Sequence, residues 1–424
     1  MLSPTTTTTP KKDGSSAPGK TPLEIFGYSA GMPGVFKSNF DYQLVRAMPA
    51  GAYGDGGAVG EALSTARRII DGDPESWVAA WTETAERVEK IGHDSLAGGH
   101  AISAREAFLR ATLYWKTGGF FLATKDPRQL AMYQRHRSCF VQAARLFDPP
   151  IEPVSIPYEN GKTLPGYFMR PATAGGRRPT VMILGGGDTT CEELYYWGGG
   201  AAAVRRGFNA FLWEGPGQVG AYALDSSLTY RPDWEVPTRY AVDYVLSRDD
   251  VDPKRLALSG HSMGGYLAPR AAAFEKRITA LIANSLLPDL KPVLMSLLKP
   301  GAPSVADLGG KVDLTRPFKV YASVVLERLG AAGKSPDALA EDLARYSLAG
   351  LEGKITCPVL VITGEGEGPI VAAGARAFYD KLTCPKTERM VSAVDGGEAH
   401  CSLNNPSLKH QIEFDWLDDV FKTS

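Results

Sequence analysis

The chain predicts an α/β fold: a mainly parallel, doubly wound sheet, preceded by a helical domain and interrupted late by a helical cap. Three observations carry this. Beyond residue 150, short apolar runs alternate with longer amphipathic ones; before it the apolar spacing is helical only; and a hairpin signal separates the two regions. Residues 1–22 are rich in threonine, proline, serine and lysine and lack the apolar core of a signal peptide, so a disordered tail is expected there. Apolar residues then recur every three or four positions in Trp77 to Ile91, Ala104 to Phe121 and Gln134 to Phe147, which predicts a helical accessory domain over residues 23–150. Asp73-Pro74-Glu75-Ser76 reads as a helix start, and Ser103-Ala104-Arg105-Glu106 as a capping box. The region 151–424 opens with strands at Pro153 to Tyr158 and Thr163 to Arg170, joined through Asn160-Gly161, the dipeptide that favours a tight hairpin. Further strands are predicted at Thr180 to Leu184, Asn209 to Trp213, Arg255 to Ser259, Ile278 to Ser285, Val359 to Thr363 and Arg389 to Val394, and a last helix at Leu408 to Phe421. Residues 289–354 form a helical insertion, which its place in such a sheet puts over the strand ends as a cap.

The stretch Leu258-Ser259-Gly260-His261-Ser262-Met263-Gly264-Gly265-Tyr266 sets a serine between glycines, after an apolar strand and before an apolar helix. That is the nucleophile elbow of an α/β-hydrolase, a turn so sharp that a β-carbon does not fit at 260 or 264. A nucleophilic serine needs a base, and the base an orienting acid, in the chain order Ser, acid, His. Of six histidines only His400 and His410 follow Ser262. His400 sits in a glycine-rich loop after a strand and is the expected base; His410 lies within the last helix and reads as solvated or capping. The acid should follow the strand before last by three or four residues, where Glu367 stands; Glu365 and Asp289 are the rivals. An oxyanion hole would take one amide from Met263 and one from Gly186 or Gly187, in the turn after Thr180 to Leu184.

Composition fits a large enzyme. The chain has 424 residues, 44% of them hydrophobic and 22% charged, with a formal net charge of −1. It has no strongly basic face, zinc-spaced cysteine set or phosphate loop, so no nucleic acid, metal or cofactor is expected. Five scattered cysteines fit a reducing compartment, and the chain is expected to be cytoplasmic. No run of 18 apolar residues suggests a membrane span. Aromatic residues are plentiful where the helical regions should meet the strand ends, among them Tyr114, Trp115, Phe120, Phe121, Tyr195, Tyr196 and Trp197; ordinary core accounts for any one of them, but together they permit a flat aromatic or polyketide substrate. Asp188 and Glu214 each follow a strand and, with Tyr195, are the candidate substrate contacts; capping explains the two acids equally well.

Asp71-Gly72-Asp73-Pro74-Glu75-Ser76-Trp77, Thr163-Leu164-Pro165-Gly166-Tyr167, Glu214-Gly215-Pro216-Gly217-Gln218, Tyr379 to Lys386 and Glu398-Ala399-His400-Cys401 together resemble one branch of the α/β-hydrolases. That branch holds the FrsA-like esterases, the bacterial pseudooxynicotine C–C hydrolase and the yellowish-green hydrolases that shorten polyketides in fungal pigment pathways. The resemblance runs from about Leu23 to the C-terminus. It implies a helical N-terminal domain over the active site, a triad of Ser262, Glu367 and His400, and a homodimer. The family pattern has aspartate at the acid position, where this chain has glutamate. The activity implied is hydrolysis of a C–C bond in a β-dicarbonyl, as in shortening the acyl chain of an aromatic polyketide. An esterase or lactonase, or an acyltransferase or cyclase using the same three residues, stands as the alternative. A catalytically idle binding module would predict damage at Ser262 or His400, and there is none.

Overall fold

The computed structural model describes residues 35, 36, 38, 40–48, 56–173, 175–297, 316–331 and 333–422. The tail expected at residues 1–22 lies outside them, as does part of the expected cap. Eight strands form one sheet: β1 (Glu152–Pro157), β2 (Thr163–Met169), β3 (Arg178–Leu184), β4 (Asn209–Trp213), β5 (Val251–His261), β6 (Ala280–Asn284), β7 (Val359–Gly364) and β8 (Lys386–Val391), in the order β1-β2-β4-β3-β5-β6-β7-β8. The first three positions in that order are antiparallel and the rest parallel. β4 and β7 are buried at every residue, so helices cover both faces, as parallel strands require. The β1–β2 turn works through the expected dipeptide, with Asn160 at φ 56° and Gly161 at φ 74°, both left-handed as a tight hairpin needs.

The helices are α1 (Phe40–Arg46), α2 (Val59–Ala66), α3 (Pro74–Ala97), α4 (Ala101–Gly119), α5 (Pro127–Ala144), α6 (Gly200–Arg205), α7 (Val219–Leu224), α8 (Glu235–Leu246), α9 (Gly264–Phe274), α10 (Leu290–Leu297), α11 (Arg316–Arg328), α12 (Pro336–Ala344), α13 (Pro369–Lys381) and α14 (Pro406–Lys422). α3 starts as read, with the Asp73 carboxylate accepting from the Glu75 amide at 3.1 Å and Pro74 in the first turn. Ser103 caps nothing, because α4 begins three residues earlier: Gly98-Gly99 ends α3, and His100 takes the N-cap position without a side-chain bond. β8 is also displaced, running 386–391 rather than 389–394. Its pairing with β7 aligns Val359 with Lys386, and Ser392 to Asp395 turns away as a loop.

α3, α4 and α5 share a core built on Trp77, Trp81, Phe108 and Phe140. They reach the C-terminal ends of the sheet strands through the loop after β3. The Tyr196 hydroxyl donates to the Leu109 carbonyl at 2.8 Å, and His136, wholly buried, meets Thr190 at 2.9 Å and Glu192 at 3.2 Å. This is the end of an α/β sheet where loops converge and ligands bind.

Candidate active site

β5 ends in the turn that the glycines foretold. Ser262 has φ 59°, a left-handed conformation that a non-glycine residue holds only when its surroundings fix it. At Gly260 a β-carbon would run into the Gly264 carbonyl and sit 2.7 Å from the Ala268 Cβ, so the strand can pass this close to α9 only as glycine. The serine is thereby presented at the strand end, with Met263 as the N-cap of α9.

The Ser262 Oγ lies 2.8 Å from His400 Nε2, and His400 Nδ1 lies 2.6 Å from Glu367 Oε2. Glu367 is fully buried. Its other oxygen accepts the Ser285 hydroxyl and, at 3.0 Å, the Cys401 amide. The longer glutamate side chain is accommodated because its backbone sits in a short 3-10 turn, Glu365–Glu367, that Gly368 reverses at φ 85°. The rival carboxylates point elsewhere: Glu365 accepts the Ala393 amide at 2.9 Å, and Asp289 caps Lys291 at 2.9 Å. Burial pulls the His400 pKa down, but the Cys401 sulfur and the Glu367 carboxylate pull it up. The balance lies well above the ordinary imidazole value.

The glycine turn after β3 is pressed against this group. A β-carbon on Gly186 would lie 2.6 Å from Ser262 Cβ and 2.8 Å from its Oγ, and Gly187 lines a cavity with Ser262, Met263 and His400. The carbonyls of this turn are all engaged. Gln218 Nε2 donates to Gly185 at 2.8 Å, the Tyr230 hydroxyl to Gly186 at 3.3 Å, and Arg328 to Gly187. Side chains thus fix the peptide planes whose amides would have to face a developing oxyanion.

Ser262 lines two cavities. One, of about 420 Å3, is apolar and walled by Leu287, Leu290, Val293, Leu294 and Val325, with Tyr321 at its edge; its helical walls are α10 and α11, both from the stretch read as a cap. The other, of about 260 Å3, is lined by Tyr42, Arg46, Asp188 and Thr189 beside Trp197 and Leu403. Arg46 reaches from α1 to Asp188 at 2.9 Å and to both oxygens of Glu193 at 2.9 and 3.0 Å, and the Tyr42 hydroxyl donates to the His400 carbonyl at 3.3 Å. Burial raises the Asp188 pKa, yet Arg46 and Lys116 outweigh it and hold the carboxyl below its usual value, ionised.

Of the three candidate substrate contacts, only Asp188 lines these cavities. Glu214 is fully buried and accepts the amides of Cys191 at 2.6 Å, Gly220 at 2.5 Å and Ala221 at 3.2 Å; burial, with Glu192 nearby, pushes its pKa up to about 7. It ties the loop after β4 to the loop after β3 instead of meeting substrate. Tyr195 packs edge-on to Phe140 and Tyr196 as core. His410 is also placed differently from its reading: it is wholly buried and bonds the Trp197 carbonyl at 2.9 Å. Sequence reasoning missed Tyr42 and Arg46. The one signal for Arg46 is a charge ending a short apolar helix, and only the tertiary fold brings it 142 positions along the chain to Asp188.

No protein-family model matches the chain. Hydrolase LUC6 of a Fusarium species is 32% identical over 420 residues, covering 91% of this chain and 98% of that protein. Alpha/beta hydrolase gkaG of Penicillium citrinum is 38% identical over 415 residues, covering 90% and 96%. The 20-hydroxy-prefusarin hydrolase FUS2 of Gibberella moniliformis is 31% identical over 414 residues, covering 91% and 98%. Among solved structures, 2,6-dihydroxy-pseudo-oxynicotine hydrolase superposes with a TM-score of 0.71 at 23% identity, over 89% of this chain and 95% of that one, which speaks for the fold. Among the described residues no helix is long and apolar enough to cross a membrane. With the sheet order, the turn at Ser262 and these relatives in hand, the chain belongs to the α/β-hydrolase family, in the branch of these fungal hydrolases, and is a hydrolase.

Proposed function

We propose that the protein is a serine hydrolase that cleaves a C–C bond of a β-dicarbonyl, shortening the acyl chain of an aromatic polyketide or a related natural product. The observation that carries the reading is the hydrogen-bonded chain from Ser262 through His400 to a fully buried Glu367, opening onto one cavity walled by aliphatic side chains and another that holds Tyr42, Arg46 and Asp188. The substrate class is supported by the relatives, one named for prefusarin and a fold neighbour named for pseudo-oxynicotine.

In this reading Ser262 Oγ gives its proton to His400 Nε2 and bonds to a ketone carbon of the substrate. The carbonyl electrons move to oxygen, which the amides of Met263 and of Gly186 or Gly187 receive. When the carbonyl re-forms, the bond to the central carbon breaks and its electron pair leaves as an enolate, which the second carbonyl stabilises. His400 returns its proton to that fragment, releasing a ketone and leaving an acyl-serine ester. Water then gives a proton to His400, attacks the ester and releases a carboxylic acid, regenerating Ser262. The buried Glu367 keeps Nδ1 of His400 protonated throughout and balances the imidazolium.

Incubation with a panel of aryl β-diketones and matched esters, followed by product masses, tests the assignment. One acid and one shortened ketone per diketone is the expected result. Turnover of esters alone would make the protein an esterase or lactonase, and products isomeric with substrate would make it a cyclase.

A further inference from the structure

A larger chamber of about 640 Å3 adjoins the cavity at Ser262, walled by α4, α5, α7 and α11. Tyr321 lines both, and Asp188 lines this chamber and the pocket beside Arg46, so the three spaces meet around the glycine turn. Two cations stand on its wall, Lys116 and Arg328, amid Trp115, Phe120, Leu122 and Met132.

Arg328 is only 3% exposed. Its guanidinium donates to the backbone carbonyls of Gly187 and, at 3.2 Å, Gly217; its Nε has no partner, and it forms no ion pair among the described residues. A buried guanidinium without a counter-charge is costly to keep in a folded protein. Lys116 is nearly as enclosed. Its Nζ lies 3.6 Å from Glu193 and 4.8 Å over the Phe120 ring, and burial pulls its pKa below the usual lysine value. The two carboxylates at hand, Asp188 and Glu193, are already engaged by Arg46, the first at 2.9 Å and the second through both oxygens. Among the described residues, the carboxylates ion-paired with these cations are Asp188 and Glu193, both held by Arg46, while Arg328 faces the chamber with no ion pair of its own.

We infer that this chamber binds an anionic group of the substrate, a carboxylate, between Lys116 and Arg328. This rests on the reading of Ser262 as nucleophile and gives that reading a substrate orientation. The anion sits in the cationic chamber, the reacting carbonyl at Ser262 and the hydrocarbon remainder against Leu290, Val293 and Leu294. Because Arg328 also holds the Gly187 carbonyl, the group that reads the anion and the turn facing the reacting carbonyl are one unit.

The test is binding to the Ser262→Ala protein, measured by calorimetry with para-acetoacetylbenzoate and its neutral para-carboxamide. The carboxylate should bind at least about tenfold more tightly, the scale of one charge-assisted bond. Adding Lys116→Met or Arg328→Gln should shrink that preference to about twofold or less. Lys116→Met leaves the Gly187 carbonyl untouched, so it carries the result if Arg328→Gln disturbs the turn. Equal affinities, or a preference that survives Lys116→Met, would overturn the subsite. A fluorophosphonate adduct on Ser262 of the wild type, measured alongside, separates the two ideas: with the adduct, equal affinities overturn the subsite alone, and without it both readings fall.

Discussion

Ser262→Ala should lower diketone turnover by about 10^4- to 10^6-fold while leaving substrate affinity within a few-fold of wild type. The size of the loss follows from the geometry. Oγ lies within hydrogen-bond reach of His400 Nε2, at 2.8 Å, and alanine at this left-handed position offers no nucleophile in its place. What remains is the work of the turn and the cavities, which still bind and polarise a carbonyl. His400→Ala should cost about as much, and the double variant little more, since residues acting as one unit do not add. Steady-state kinetics on the three proteins check this. A Ser262→Ala enzyme within tenfold of wild type would mean that the chemistry does not run through this serine.

Glu367→Gln should lower kcat by about 10^4-fold and move the acid limb of the pH profile toward lower pH. The direction follows from the charges. The resting base must be neutral, and the buried Glu367 carboxylate is one of the groups that hold His400 protonated above its ordinary range. In the wild type kcat/KM should therefore rise as pH climbs through a value above 6.5, as His400 loses its proton. Glutamine removes that charge and leaves only the lowering effect of burial and the influence of Cys401, so the limb moves down. It also offers an amide N–H where His400 Nδ1 needs an acceptor, which favours the wrong tautomer and accounts for the loss in kcat. The same substitution at Glu365, which bonds the Ala393 amide, should leave both quantities near wild type. A profile whose acid limb does not move in Glu367→Gln would remove Glu367 from this role.

Much of this site was legible because steric demands leave local marks. The turn at Ser262 requires glycine at 260, and the serine set between glycines after an apolar strand and before an apolar helix marks that turn in the sequence. The hairpin at Asn160-Gly161 was legible for the same reason: two consecutive left-handed residues restrict composition. Strand edges were less so. β8 starts three residues before its predicted start because its pairing with β7, a long-range contact, decides where it begins, and its exposed outer residues give a weak alternation. Glu214 and Tyr195 show the other limit. Position after a strand marks a residue as near the strand ends but does not say whether its side chain faces a cavity or closes a loop, and both face the interior. Arg46, Lys116 and Arg328 come from three separate helices, α1, α4 and α11, and no spacing in the sequence links them.

The most direct test of the central claim is intact-protein mass after incubation with a fluorophosphonate, with peptide mapping of the modified residue. One adduct per chain, on Ser262 and absent from Ser262→Ala, is the result expected of a nucleophile activated by His400. An unmodified wild-type protein, or an adduct that persists in Ser262→Ala, would contradict it.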